Sequence, residues 1–425
     1  MTARECLKLY FGYDSFREGQ SALVSDILSG KDILGIMPTG AGKSVCYQVP
    51  AIIMSGVTLV VSPLISLMKD QVGSLISMGI PAAYLNSTLD EATMRETLKK
   101  AKLGGYKLLY LAPERLFLKD FSAFAASAPI SLLAVDEAHC VSQWGHDFRP
   151  SYAQIPRFIE GLKKRPVVAA FTATATAAVR DDIIKMLGLF DPTVMTTGFD
   201  RENLRFEVQR PKNKFAALTE FLADKRDLSG IVYCTTRNTV EQVTQRLNQH
   251  GFNALRYHAG LTDDERRINQ DDFLHDRVRL LVATNAFGMG IDKPNVSFVV
   301  HYSMPGNIEN YYQEAGRAGR DGKPASCILL YNEKDVNTNI WLAQRAHESP
   351  SEEIHDPKIN RMLKKRDKQR LRDMMEYCVT SDCLRGYILR YFGENPPGYC
   401  GNCGNCKTGT VNISIVDAVK RLFGR

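Results

Sequence analysis

The chain has 425 residues, of which 44% are hydrophobic and 24% charged, with a formal net charge of +7. That length accommodates two or three domains, and the near-average composition excludes wholesale disorder. No apolar run approaches the ~18 residues of a membrane span and Met1–Tyr10 is not laid out as a secretion signal, so a membrane protein and a disulfide scaffold are both excluded and a cytosolic location is expected, nucleoid-associated if the source is a bacterium.

From Asp32 onward, short apolar runs alternate with longer amphipathic segments. Ile33–Met37, Val57–Ser62, Lys107–Leu111, Leu132–Val135 and Val167–Phe171 read as buried strands, with helical patterns over Leu64–Met78 and Leu89–Lys102 between them. The alternation starts again with Ile231–Cys234, Ala254–Tyr257, Leu280–Ala283, Val296–His301 and Ser326–Tyr331, and a helix is expected over Asn238–Gln249. Strand–helix alternation of this kind predicts parallel, doubly wound sheets. Two such α/β domains are expected, joined near Asp200–Pro211, over residues 1–203 and 204–342. After about Trp341 the strand signals stop, leaving a helical, cysteine-bearing module over 343–407 and a tail over 408–425.

The first chemical signal follows the first strand: Pro38, Thr39, Gly40, Ala41, Gly42, Lys43 and Ser44 lead directly into a helical pattern. Small residues let backbone N–H groups wrap a polyphosphate at a helix N-terminus, where the dipole also favours negative charge. Lys43 would then reach the β- and γ-phosphates and Ser44 would ligate Mg²⁺. The generic phosphate loop carries Gly where this chain has Met37. A second signal, Leu132–His139, is an apolar strand ending in Asp136 and Glu137. An acid at such a strand end holds Mg²⁺, and a following Glu orients or deprotonates the attacking water. The third lies far downstream, in Gln313–Gly322, where Arg317 and Arg320 are either surface charge or an arginine finger acting across an inter-domain cleft.

The cysteines divide by position: Cys6, Cys46, Cys140, Cys234 and Cys327 are scattered, whereas five crowd between Cys378 and Cys406. Cys383, Cys400, Cys403 and Cys406 form C-x16-C-x2-C-x2-C, a pattern that wraps a tetrahedral ion. Four thiolates select Zn²⁺ in a closed structural site, with an iron–sulfur cluster the alternative. Cys378 is the spare and reads as a buried apolar residue. Upstream, Lys358–Arg372 holds eight Lys/Arg against Asp367 alone, which is either a solvated helix face or a phosphate-tracking surface.

The Asp-Glu-Ala-His run and the Gln-x-x-Gly-Arg-x-x-Arg run resemble superfamily-2 helicases, and the remaining motifs resemble the RecQ family from about Leu7 to Cys406. Phe11–Tyr13 followed by Phe16-Arg17-x-Gly19-Gln20 resembles that family's adenine-recognition motif. The resemblance implies that Tyr13 and Arg17 stack on adenine and that Gln20 hydrogen-bonds its edge. Cys140–Pro150 resembles the family's aromatic-rich loop; there Gln143, Trp144, Phe148 and Arg149 would meet single-stranded DNA and report its presence to Glu137. Base stacking on such aromatics is worth ~1–3 kcal/mol per base. Read alone, Trp144 and Phe148 would more often be core residues. Ser62–Gln71 and Leu111–Leu116 resemble first-domain DNA-contact motifs, and Phe171–Ala175 the motif linking ATP state to closure. Tyr233–Arg237, Tyr257–Leu261 and Ala283–Pro294 resemble second-domain motifs. Ser62, Lys69, Thr235, Arg237 and Asn285 are the DNA contacts these imply. The four-cysteine spacing is also that family's zinc pattern. The resemblance favours Arg320 over Arg317 as the finger and assigns Gln313 to the same site.

The function implied is a DNA-stimulated ATPase and 3′-to-5′ DNA helicase of repair and recombination, using ATP, Mg²⁺ and Zn²⁺, acting on single-stranded DNA and junctions as a monomer. RecQ proteins commonly continue into a winged helix, and only residues 407–425 follow Cys406. That motivates a second reading, an ATP-gated translocase or strand-annealing module with little unwinding. An RNA helicase is the third.

Overall fold

The structure, a computed structural model, describes residues 1–86, 89–142, 144–145, 147–288, 293–348 and 357–408. The chain separates into two compact units, Met1–Gly198 and Phe199–Arg425.

In the first unit seven strands, β1 (Ile33–Ile36), β2 (Val57–Val61), β3 (Ala82–Leu85), β4 (Leu108–Leu111), β5 (Ile130–Val135), β6 (Val167–Thr172) and β7 (Thr193–Thr196), form one sheet in the order β3-β4-β2-β5-β6-β1-β7. Every pairing is parallel, as Ile33↔Ala169 and Leu59↔Leu133 illustrate. The central strands are buried on both faces, which is why they appear as unbroken apolar runs. Helices Gln20–Leu28 and Lys43–Ile53 cover one face through Leu23, Ile27, Tyr47 and Val49, which pack on Ile33, Ala134 and Phe171.

In the second unit β8 (Leu204–Gln209), β9 (Ser229–Tyr233), β10 (Ala254–Tyr257), β11 (Leu280–Ala283), β12 (Val296–His301) and β13 (Ala325–Leu330) form a second parallel sheet, ordered β10-β11-β9-β12-β13-β8. Phe215, Leu218, Val243 and Phe298 build its core. The helices Glu333–Glu348, Pro357–Val379 and Leu384–Tyr391 follow, and the short helix Gly404–Thr408 packs against the edge strand β8.

Three strands escape the sequence pattern: β3, β7 and β8. All lie at sheet edges, and in β7 and β8 partly buried or exposed positions interrupt the apolar run. A strand paired on one side alone has no need to be apolar throughout. The tail beyond residue 408, and Met289–Asp292 of the late second-domain motif, lie outside the described residues.

Candidate nucleotide, DNA and zinc sites

Parallel sheets present their loops at the C-terminal strand ends, and ligands bind there. β1 ends in the phosphate loop, β5 in Asp136–Glu137 and β6 in Thr172, so three separate sequence signals meet on adjacent strands of one sheet edge. Gly40 and Gly42 of the loop take positive φ (85° and 81°), and the helix Lys43–Ile53 starts at Gly42. Lys43 Nζ donates to Met37 O at 3.1 Å.

The loop is gripped from below. Arg17 Nη1 donates to Gly40 O (2.6 Å), and Gln20 Nε2 donates to Ala41 O (3.0 Å) and Gly42 O (3.2 Å). Gln20 Oε1 accepts from Arg17 N at 2.9 Å, which locks the pair together. A Cβ on Gly42 would come within 2.5 Å of Gln20 Nε2, and the φ of 81° is one that L side chains rarely adopt, so the position favours glycine. Gln20 is buried while Tyr13 and Arg17 are exposed.

Asp136 is buried; burial pushes its carboxyl up, against the Lys43 charge and the Glu137 N–H that favour the carboxylate. A buried carboxylate that faces a lysine and ends a strand beside a phosphate loop is a fitting ligand for Mg²⁺. Glu137 holds a left-handed conformation (φ 47°), unusual for a non-glycine and of the kind concentrated at functional sites. His139, fully buried, places Nδ1 2.9 Å from Thr172 Oγ1 and 3.3 Å from Glu137 Oε2. Thr172 Oγ1 also lies 3.1 Å from Thr174 O, to which its hydroxyl can donate. β5 and β6 are thereby tied together through the imidazole.

The aromatic-rich loop is built onto the same acid. Tyr152 OH donates to Asp136 O at 3.1 Å, and Arg149 N donates to Cys140 O at 2.9 Å. Arg149 also donates through Nη1 to Pro63 O (3.1 Å) and pairs with Asp147 (2.9 Å). A Cβ on Gly145 would lie 2.1 Å from His139 O, so loop and acid motif touch with no room between them.

In the second unit Gln313 and Arg317 are buried and Arg320 is half-buried. Among the described residues, Arg317 Nε and Nη1 have no hydrogen-bond partner. At the carboxyl end, the Sγ atoms of Cys383, Cys400, Cys403 and Cys406 all lie within 4.8 Å of one another, with Cys400–Cys406 at 4.0 Å and Cys383–Cys403 at 3.9 Å. A tetrahedral zinc with Zn–S near 2.3 Å sets its sulfurs ~3.8 Å apart. Burial pushes the Cys383 thiol up to about 12, so a cation is what makes four close thiolates tenable. Cys378 is buried elsewhere, outside the cluster.

Residues 17–183 match the DEAD/DEAH box helicase family, 213–322 the helicase conserved C-terminal domain and 334–407 the RecQ zinc-binding domain. The ATP-dependent DNA helicase RecQ of Bacillus subtilis is 46% identical over 434 residues, covering 100% of this chain and 71% of that protein. The chain belongs to the RecQ family of ATP-dependent DNA helicases. The RecQ protein of Pasteurella multocida is 42% identical over 405 residues, 95% of this chain and 62% of its own length. Among solved structures, Saccharomyces cerevisiae Dbp5 bound to RNA and ADP BeF3 superposes with a TM-score of 0.65 at 21% identity, covering 85% of this chain and 97% of that one. Mycobacterium smegmatis Lhr bound to single-stranded DNA and AMP-PNP gives 0.64 at 20%, covering 88% and 57%. The structural likeness is one of fold. The family's ATP, Mg²⁺ and Zn²⁺ fit the residues described above.

The remaining RecQ-type DNA-contact positions divide. Lys69, Trp144, Arg237 and Asn285 are exposed, and Phe148, Arg149 and Thr235 are half-buried. Ser62 is buried at the end of β2 with its amide donated to Leu111 O, so its side chain faces protein rather than solvent. Gln143 lies outside the described residues. The basic stretch belongs to the helix Pro357–Val379: Arg361, Lys364, Lys365 and Lys368 share one exposed face, whereas Arg370 turns inward to Glu309 at 3.2 Å.

Proposed function

We propose that the chain hydrolyses ATP on binding single-stranded DNA and uses the cycle to move 3′ to 5′ and part duplexes at junctions, as a monomer. The observation that carries this reading is the unbroken series of contacts from the aromatic loop to the hydrolytic acid: Trp144 is exposed, Gly145 abuts His139 O, and Tyr152 holds Asp136 O. Bases stacking on Trp144 and Phe148 would shift a loop that has no slack against Glu137 and His139, which ties hydrolysis to strand occupancy.

In this reading Lys43, Ser44 and Asp136 hold the triphosphate and its Mg²⁺. Glu137 positions or deprotonates the attacking water, and Tyr13, Arg17 and Gln20 select the adenine. To take the base, Arg17 and Gln20 must rearrange their bonds to the phosphate loop, so base selection and loop conformation are linked. Arg320, with Arg317 and Gln313 beside it, supplies the positive charge that stabilises the transferring phosphoryl group. Cys383, Cys400, Cys403 and Cys406 hold a structural zinc.

The test is strand displacement with ATP and Mg²⁺ on a duplex carrying a 3′ single-stranded tail, with a 5′-tailed duplex and the Lys43→Ala protein as controls. Displacement of the 3′-tailed duplex alone, lost in Lys43→Ala, is the expected result. DNA-stimulated hydrolysis without displacement would instead favour the translocase or annealing reading, and stronger stimulation by RNA than by DNA would favour the RNA one.

A further inference from the structure

The segment Phe199–Asn203, between the two sheets, makes contacts that none of the motifs above explains. Arg201 Nη2 donates to Ala318 O (3.0 Å) and Gly319 O (2.8 Å), and its Nη1 donates to Gly316 O (3.4 Å). Asn203 Nδ2 donates to Gly319 O and to Lys323 O, both at 2.8 Å. Arg201 Nε donates to Asn203 Oδ1 at 3.3 Å, joining the two side chains. Together they hold the carbonyls of the loop that carries Arg317 and Arg320. The fit is close, because a Cβ on Gly319 would lie 2.4 Å from Asn203 Nδ2.

The same segment is fastened on its other side to the cysteine module. Arg385 donates through Nε to Asp200 Oδ1 at 2.5 Å, and Glu394 Oε1 accepts from Phe199 N at 2.5 Å. The Phe199 ring stacks on Phe392 with centroids 4.4 Å apart and meets Tyr312 edge-on at 6.0 Å. Tyr312 OH donates to Phe199 O at 2.6 Å, from the helix that ends just before the arginines. Asn402, between the paired cysteines, donates to Glu202 O at 3.4 Å.

We propose that Phe199–Asn203 is a strap tying the arginine loop to the zinc module, with Arg201 and Asn203 the positioning residues that set the aim of Arg317 and Arg320. The proposal rests on the reading of those arginines as charge-stabilising groups for hydrolysis. Its physical basis is that a loop with four carbonyls held by one guanidinium and one amide has little freedom to turn, and misplacing a transition-state donor by a fraction of an ångström is costly.

Two readouts test it. Hydrogen–deuterium exchange over the peptide 313–325 should quicken at least ~10-fold in Arg201→Ala, with bound zinc unchanged, whether or not the protein hydrolyses ATP. In DNA-stimulated hydrolysis, Arg201→Ala should lower kcat ~10- to 100-fold while KM for ATP and DNA affinity stay within ~3-fold, and Arg201→Lys should recover part of the loss. Asp200→Asn and Arg385→Gln should each lower kcat several-fold, and the double variant should be no worse than the single ones. If Arg201→Ala does not fold, Asn203→Ala and Arg201→Lys carry the same test. Unchanged exchange and unchanged kcat in folded variants overturn the strap, as does a kcat loss that merely follows zinc loss. A wild-type protein without DNA-stimulated, Lys43-dependent hydrolysis would defeat the functional reading instead, and the exchange measurement would still decide the strap.

Discussion

The phosphate loop of the first unit and the arginine loop of the second are held in the same manner. In each, a guanidinium and a carboxamide two or three residues apart donate to loop carbonyls: Arg17 and Gln20 to those of Gly40, Ala41 and Gly42, Arg201 and Asn203 to those of Gly316, Ala318, Gly319 and Lys323. In each, the amide nitrogen sits where a glycine's Cβ would be, 2.5 Å at Gly42 and 2.4 Å at Gly319. They differ in what lies behind the clamp. Arg17 is exposed, so that clamp is open to exchange with a ligand, the adenine base in the function proposed above. The Arg201 clamp is backed by Phe392, Glu394 and Arg385 of the zinc module, so it answers to the fold of that module. On the function proposed above, one loop would be set by its substrate and the other by its scaffold.

The sharpest way to break the comparison is to remove the metal. Structural zinc supplies on the order of 10 kcal/mol to such modules. Chelation should therefore lower hydrolysis ~100-fold or more while binding of a fluorescent ATP analogue to the first unit changes less than ~3-fold. Equal loss of both would show that the two loops do not depend on different scaffolds. Next in size is the pair Gly42→Ala and Gly319→Ala. The first should abolish nucleotide binding, measured by titration, because the loop must abandon both its φ of 81° and its bond to Gln20. The second should leave binding intact and cut kcat ~10-fold or more.

A smaller effect is expected from Gly145→Ala, whose methyl group meets His139 O. The DNA concentration that half-maximally stimulates hydrolysis should rise several-fold, since bulk at this contact displaces the aromatic loop. No change would show that the loop and the acid motif are not coupled there. The smallest is Asp276→Asn in the second unit. The bond from the buried Lys293, and then that from Ser229, hold the Asp276 carboxyl well below its ordinary value of 3.8. A depressed carboxyl stabilises the fold above that ordinary value, and the contribution is lost as pH falls below it. With Asp276 more than a third exposed, the difference in unfolding free energy should stay under ~1 kcal/mol at pH 7, start to shrink below that ordinary value and disappear only as pH falls through the much lower folded one.

Much of this was legible in the residues. The strands buried on both faces announced themselves as apolar runs, and the phosphate loop, the two acids and the four cysteines are local patterns in which chemistry dictates spacing. β7 and β8 were not legible, because at a sheet edge polar residues interrupt their apolar runs. Ser62 fits a DNA-contact motif yet is buried, since membership of a motif does not say which way one side chain faces. The basic stretch 358–372 likewise reads as one charge run, and only helical geometry separates the exposed lysines from Arg370, turned toward Glu309.

By itself the sequence determined the two parallel sheets and the four-cysteine cluster, because each rests on a period or a spacing contained in a short stretch of chain, while its motifs together carried the resemblance to the family. Only the tertiary structure decided that His139 is hydrogen-bonded to Thr172 and that Arg201 grips carbonyls more than a hundred residues away. The first joins side chains at or just beyond the ends of two different strands, a pairing that no local spacing encodes; the second pairs a side chain with backbone carbonyls, which every residue carries, so the acceptor leaves no mark in the sequence and only the folded chain identifies it.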